Sequence, residues 1–442
     1  MRRWAMGLGL CAWVSGPAGA WAGGRSGQGP PEWAANDDAG DDDDDAGDDD
    51  DDAGDDDDDA GDDDDDAGAG VVGPCAGGGW GAIGAPAPDW QHVSALLGSD
   101  LLGDGTVDHP YATVARAVDA ARVLPTGVPR VVAVWPGAYD ASVSLQPGVG
   151  WDDPVSLLGC APDETALIAA DPTLPVVETA VVPPTTVQGL SLVGGTRALA
   201  ASEGATLWVD GVWVQGATRT GVWIAGETTV AVLRRMVVAH VAEEGGCGWG
   251  VASFGADTTW DDGAVFDTVG AGIVAEGGVL DVRRTLVSGI VPTSAGLGGR
   301  GIHAQYAELW LEDAVVADTW DAGVFALSPT GGRVRSIVID MTGAGWVAGS
   351  PTGDGIVVTG SQRGAFPVQG TVSLDVARAA VLFEEANVAL SGNAAIGAGA
   401  VATYGSENLA QGAYKVSGAD AATVVGLPAG SLAVDLTPLV CP

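Results

Sequence analysis

Asp261 and Asp262 are adjacent carboxylates followed by Gly263, and His303 closes the run Gly301-Ile302-His303. Paired acids can divide general acid and general base work, and an imidazole moves a proton near neutral pH. Arg234 and Arg283 would supply fixed positive charge beside an anionic group. The aromatics offer a second chemistry, with sixteen Trp against five Tyr and five Phe. Trp208, Trp213 and Trp223 each alternate with Val, Leu or Ile, which turns the indoles outward, and Trp310 sits in a segment equivalent to that of Trp208. Exposed indole faces stack on sugar rings, the alternative being that loops cover them. Four His are scattered singly and no Cys spacing suits zinc, so neither metal nor other cofactor is expected.

The elements that would position these residues repeat along the chain. Gly221-Val-Trp-Ile-Ala, Gly250-Val-Ala-Ser, Gly272-Ile-Val-Ala, Gly301-Ile-His-Ala, Gly323-Val-Phe-Ala and Gly355-Ile-Val-Val lie 29, 22, 29, 22 and 32 residues apart. Short Val/Ile strands at such intervals, broken by Gly and Asp, are the mark of a solenoid. A second strand follows each glycine unit. Leu207-Trp-Val-Asp-Gly-Val-Trp-Val, Ala231-Val-Leu-Arg-Arg-Met-Val-Val, Leu280-Asp-Val-Arg-Arg-Thr-Leu-Val, Leu309-Trp-Leu-Glu-Asp-Ala-Val-Val and Leu374-Asp-Val-Ala-Arg-Ala-Ala-Val align without gaps. Their first and third residues would point inward, while Trp208, Val232, Asp281, Trp310 and Asp375 form an outward column. Arg234 and Arg283 then share a corner, as do Arg235, Arg284 and Arg378, with Asp210, Glu312 and Asp313 in the same columns. A solvated ladder of alternating charge accounts for these without catalysis.

Residues 1–22 read as an export signal: Arg2 and Arg3, the apolar stretch Trp4 to Val14, then small residues ending at Ala20 or Ala22. Cys11 follows Leu10, where a lipidation signal wants a small residue, so ordinary export is expected. Residues 23–70 form an acidic linker with four copies of Ala-Gly-Asp-Asp-Asp-Asp-Asp. Its aspartates repel one another and must stay solvated, so a disordered spacer is expected. Calcium is the one ion this carboxylate density would invite, although the spacing of a calcium loop is missing. The formal charge is −41 over the whole chain, and the folded part is acidic too, which excludes nucleic acid as a partner. No later stretch is long and apolar enough to span a membrane as a helix.

The folded region opens with Gly103-Asp104-Gly105-Thr106-Val107-Asp108-His109-Pro110-Tyr111-Ala112-Thr113-Val114, and Val114, Ala117, Val118 and Ala121 follow at helical spacing. Then come Val131-Val132-Ala133-Val134 and Trp135-Pro136-Gly137-Ala138-Tyr139. A Gly-Asp-rich turn, a Pro-Tyr-x-Thr helix start, a strand and Pro-Gly-x-Tyr resemble the N-terminal cap of the pectin-lyase-like superfamily. The likeness is to its secreted bacterial members with domains of unassigned function. It implies an all-β, right-handed, single-stranded parallel β-helix over 71–442, with a short capping helix at about 100–125 and coils at about 130–435. Asn occurs only at 36, 387, 393 and 408, so the corner Asn ladder of many such proteins is missing and Gly, Asp and Arg must turn the corners.

Export would remove Cys11 and leave Cys75, Cys160, Cys247 and Cys441, an even number suited to an oxidising compartment. Three pairings are possible. In a β-helix Cys75 and Cys160 lie near one end, and a bridge there would staple the cap by roughly 4 kcal/mol. Cys75–Cys160 is therefore expected, and with it Cys247–Cys441.

The superfamily includes polysaccharide lyases and glycoside hydrolases. The Asn-Thr-Asp, Gly-His-Gly and Arg-x-Lys elements of its polygalacturonase type are missing, and Lys415 is the one lysine. His303 follows an inward Ile and is expected as a solvent-facing filler. The expectation is thus a monomeric, exported, non-catalytic binding or structural module, with carbohydrate as the first ligand and Trp208, Trp213, Trp223 and Trp310 as its contacts. The alternative is a divergent lyase or hydrolase using Asp261, Asp262, His303, Arg234 and Arg283.

Overall fold

The structure, a computed structural model, describes residues 75, 87, 89–146, 153–180, 184–340, 346–347, 350–351, 353–360, 365–384, 386–396, 401–406 and 410–417. The export signal expected over 1–22 and the acidic linker over 23–70 lie outside them. The chain divides into two units, Met1–Asp66 and Ala67–Pro442. Every described strand and the helix belong to the second unit.

About ten coils stack into a right-handed parallel β-solenoid. One sheet of 11 strands takes a strand from each coil, a sheet of 19 strands takes nearly all the rest, and Trp346–Val347 and Ser350–Pro351 form a small antiparallel pair. Leu207, Val209, Val212, Val214, Val222 and Ile224 show how one coil feeds the shared core: alternate residues of every strand are buried, and those between face outward. The strands Thr206–Gln215, Asp257–Thr268 and Val279–Ser288 run unbroken through a corner of the longer sheet, so that corner is shallow.

Three rows of residues turn the corners, and all use the left-handed backbone region. One row is Gly189, Gly211, Arg235, Asp262, Arg284, Asp313, Ser336, Gly370 and Gly392; another includes Gly216, His240, Asp267, Gly289, Asp318 and Asp375; the third includes Glu203, Gly226, Gly255, Gly277, Tyr306, Ser328 and Gly360. All twelve positive-φ residues other than glycine among the described residues fall on these rows. A left-handed residue costs an L-amino acid about 1–2 kcal/mol, which glycine avoids. This accounts for much of the glycine content, and Gly, Asp and Arg do turn the corners, joined by His, Ser, Glu and Tyr.

The six repeat glycines have another cause. A Cβ on Gly272 would lie 2.6 Å from the carbonyl oxygen of Gly301 and 2.6 Å from Cγ1 of Val287. The same collision recurs at Gly221, which meets Val238 and the Gly250 carbonyl. Each glycine is where one wall closes on the next, with no room for a side chain.

The helix Val114–Arg122 buries Val114, Ala117, Val118 and Ala121, the face its spacing indicated. Thr113 caps it, accepting from the Arg116 amide at 3.3 Å. The Asp100 carboxylate fixes the entry by accepting from the Ala112 and Thr113 amides and the Thr113 hydroxyl. The strand Gln91–Val93, ahead of the helix, already pairs with Val131–Val134, so the stack begins before the cap. Cys75 and Cys160 form the expected disulfide. Cys247 is disulfide-bonded as well, and Cys441, the partner expected for it, lies outside the described residues.

One alignment fails. Leu374 registers with Asp340 and Ile396, on a different row from Leu309, whose row continues through Gly332. The true continuation comes eight residues earlier, with Val368 opposite Val334. Asp375 therefore leaves the Trp208 column for a left-handed corner, and Arg378 leaves the charged corner to be buried against Asp354. Two similar strands lie close together in sequence there, and local alternation alone cannot choose between them. The aligned segments also skip a coil: Thr258 stands between Ala231 and Leu280.

Candidate functional site

The acids and bases singled out in the sequence do not converge. Asp261, Arg234 and Arg283 share one row of the longer sheet, which reads Gln188, Asp210, Arg234, Asp261, Arg283, Glu312, Arg335 and Gln369 in successive coils. Asp261 is ion-paired with Arg284, Asp210 with Arg235, and Arg283 with Asp281 at 2.6 Å. Asp262, next to Asp261, is exposed at its left-handed corner. Asp210, Arg234, Arg235, Asp261, Asp262 and Arg284 line an open corner pocket of about 210 Å³ in which the carboxylates Asp210 and Asp261 already hold cations.

His303 lies on the other sheet and is fully buried, not a solvent-facing filler. It does point away from the core, but its row is covered: Ala252, Val274, Phe325, Val357 and Leu382 beside it are buried too. Arg300 donates to Nδ1 at 2.9 Å, and because a guanidinium only donates, the ring proton sits on Nε2, facing Gln305 Oε1 at 3.3 Å. The imidazole stacks on Phe325 with ring centres 5.1 Å apart. Burial, with the neighbouring Arg300 charge, lowers its pKa to about 3. A neutral, enclosed imidazole of this kind is a packing element. Arg300 also bonds Asp321 at 2.6 Å, and Arg378 bonds Asp354 one coil further on. Burial raises the Asp354 pKa despite that partner.

The tryptophans divide between the sheets. Trp208 and Trp213 are 50% and 38% exposed on one strand of the longer sheet. Trp310 shares the Trp208 row, but its indole N–H donates to Glu308 at 2.8 Å and Arg333 lies over its ring at 5.2 Å. Trp223 is on the shorter sheet, and its setting differs.

Its outward row runs Ser144, Glu178, Ala200, Trp223 and Ala252, so the residues directly on either side of the indole are small. Arg197, Thr220 and Trp249 stack in register at the start of the same strands. Together with Arg219 and Phe254 they enclose a pocket of about 250 Å³. The Arg197 guanidinium lies 4.1 Å above the Trp223 ring, and Trp249 packs against Phe254 at 5.7 Å. Burial, and then the charge of Arg219, lowers the Arg197 pKa, so the two cations sit close together at the edge of water. Among the described lining residues none is acidic. Two guanidinium groups can take a carboxylate in forked hydrogen bonds, while the half-buried Trp223 offers apolar contact to a ring and the buried Trp249 backs the pocket. Of this pocket, the sequence pointed only to Trp223. Arg197 and Arg219 precede the first repeat glycine, and nothing in their neighbourhood marks them as a pair.

No family model matches the sequence, and neither does any curated protein. Several solved structures show a weak likeness to it. The A-module of the mannuronan C-5 epimerase AlgE4 from Azotobacter vinelandii is 14% identical, over 71% of this chain and 95% of that one, with a TM-score of 0.40. The catalytic unit of the GH87 alpha-1,3-glucanase from Streptomyces thermodiastaticus is 15% identical, over 79% and 67%, with a TM-score of 0.43. The alginate lyase from Paenibacillus sp. is 12% identical, over 72% and 97%, with a TM-score of 0.35. The fold is the right-handed parallel β-helix. At these identities the likeness concerns the fold alone.

Proposed function

We propose that this protein is an exported, non-catalytic binding module that holds a carboxylated sugar residue against Arg197, Arg219 and the half-buried indole of Trp223, with the buried Trp249 as the floor of the pocket. The observation that carries the reading is a two-arginine, two-tryptophan pocket with no acid among its described lining residues, in a chain of formal charge −41. Its volume lies below the ~300–1,000 Å³ of drug-sized sites and suits one sugar ring. The overall negative charge repels long polyanions, so the ligand is a terminal or branch residue. The Cys75–Cys160 disulfide supports passage through an oxidising compartment. Among the described residues no helix is long and apolar enough to cross a membrane.

Calorimetry with a short uronate oligosaccharide and a neutral glucose oligosaccharide tests this. The uronate binds and the neutral sugar does not, and Arg197→Met or Trp223→Ala weakens binding by about tenfold or more, the scale of one charged hydrogen-bonded contact. Equal binding of both sugars would sink the reading. Turnover of either sugar that is lost on Asp261→Ala would replace it with catalysis.

A further inference from the structure

The wall of the longer sheet carries a pattern that the pocket does not use. Along its corner, charges alternate over six successive coils, from Asp210 through Arg234, Asp261, Arg283 and Glu312 to Arg335, and end in uncharged Gln188 and Gln369 on either side. The neighbouring row alternates over the four central coils, Arg235, Asp262, Arg284 and Asp313, and is flanked by Gly211 and Ser336. Both rows share one midpoint, between the coil of Asp261 and the coil of Arg283. An alternating row of even length, read backwards, has the opposite sign at every position. Each row is therefore complementary to its own reverse.

The rows on either side obey the same reversal. In the row of Trp213, reversal brings Trp213 to Val338, Val237 to Val315 and Ala264 to Leu286, apolar against apolar. In the row of Trp208 it brings Trp208 to Arg333, and Val232 to Trp310. The apolar surface is open, with Trp208 at 50%, Leu286 at 43% and Val315 at 41% exposure.

We propose that this wall is the interface of a homodimer, with a second copy of the chain as its occupant. The two-fold axis lies in the interface, parallel to the strands, between the coils of Asp261 and Arg283. One copy then runs antiparallel to the other along the stack. The unpaired charges fall in place. Among the described residues Arg234, Asp262, Asp313 and Arg335 make no ion pair and are exposed. In the dimer Arg234 comes to Glu312 and Asp313 of the second copy, Asp262 to Arg284, and Arg335 to Asp210. Six coils at ~4.8 Å and strands of about ten residues at ~3.3 Å give roughly 900 Å² of wall, against the ~800 Å² per partner of a standard interface. Net negative charge opposes association, but at 0.15 M salt that repulsion is screened beyond about 8 Å, whereas the ladder contacts are short. The proposed dimer departs from the monomer expected from the sequence and is independent of the sugar pocket on the other sheet.

Sedimentation equilibrium of the full-length protein, without sugar, at 0.15 M salt over the micromolar range tests it. The wild type dimerises. Arg234→Glu and Glu312→Arg each weaken the dimer by about tenfold or more, and the double exchange restores it to within about threefold, as facing charges require. Arg234 is exposed and Glu312 lies in a partly exposed surface pair with Arg333, so circular dichroism stays that of wild type. Should either single variant misfold, Leu286→Ser, which faces Ala264 of the second copy, gives the same loss without a charge change. A wild type that stays monomeric overturns the proposal. So does a dimer indifferent to the single variants, or a double variant no stronger than the singles.

Discussion

The two sheets follow one alternation rule, yet their outward residues meet opposite fates. On the longer sheet the outward rows reach water: Trp208 and Leu286 are open, and the ion pairs Asp210–Arg235 and Asp261–Arg284 join partly exposed side chains. On the shorter sheet the outward row from Ala252 to Leu382 is buried, and the pairs Arg300–Asp321 and Arg378–Asp354 are enclosed with it. The same ionic chemistry therefore has different energetics on the two sides. An exposed pair trades hydration for attraction at little net gain, whereas a buried pair cannot lose one member without stranding a charge.

Removing one partner from each side breaks the comparison most sharply. Arg300→Ala leaves Asp321 buried without its cation and costs roughly 3–5 kcal/mol in urea denaturation. Arg235→Ala, on the exposed side, costs less than about 1 kcal/mol. Equal losses would show that the two sides do not differ in this way.

Acid should act on the buried side. The unfolded state takes up a proton on His303 near pH 6.5 while the folded state resists to about pH 3, so stability falls as pH drops through that window. Between pH 7 and pH 4 the loss traceable to His303 is about 3 kcal/mol. His303→Gln removes that part of the slope, as urea titrations at several pH values would reveal.

Two glycine substitutions separate collision from conformation. Gly272→Ala forces a methyl group between the Gly301 carbonyl and Val287 and costs about 1–3 kcal/mol. Gly211→Ala meets no atom within 4 Å and suffers only from its φ of 59°, a loss of about 1 kcal/mol. Thermal midpoints of the two variants should rank in that order.

The solenoid was legible because its causes are local and repeated: the glycine collision and the left-handed corners leave the same mark in every coil. The cap helix face and the Cys75–Cys160 bridge were legible for related reasons. Leu374 was misplaced because two adjacent strands carry the same alternation, and only inter-coil register separates them. Alternation gives the direction of His303 but not its burial, which depends on what covers the row. The pocket was legible only through Trp223, since Arg197 and Arg219 come together across coils.

The spacing of the repeat glycines has a consequence for how such a rod can change length. Coils of 22 residues alternate with longer ones of 29 or 32, and the additional residues emerge between the second corner and the next glycine, as in 242–248 and 290–299. The corner charge also changes sign with every coil. Loop length and charge thus share a period of two coils. The unit that can be duplicated or excised without upsetting either is a pair of coils, 51 residues from Gly250 to Gly301. Removing a single coil would bring like charges together at the seam, so lineages or designs built on this scaffold should lengthen and shorten in even steps.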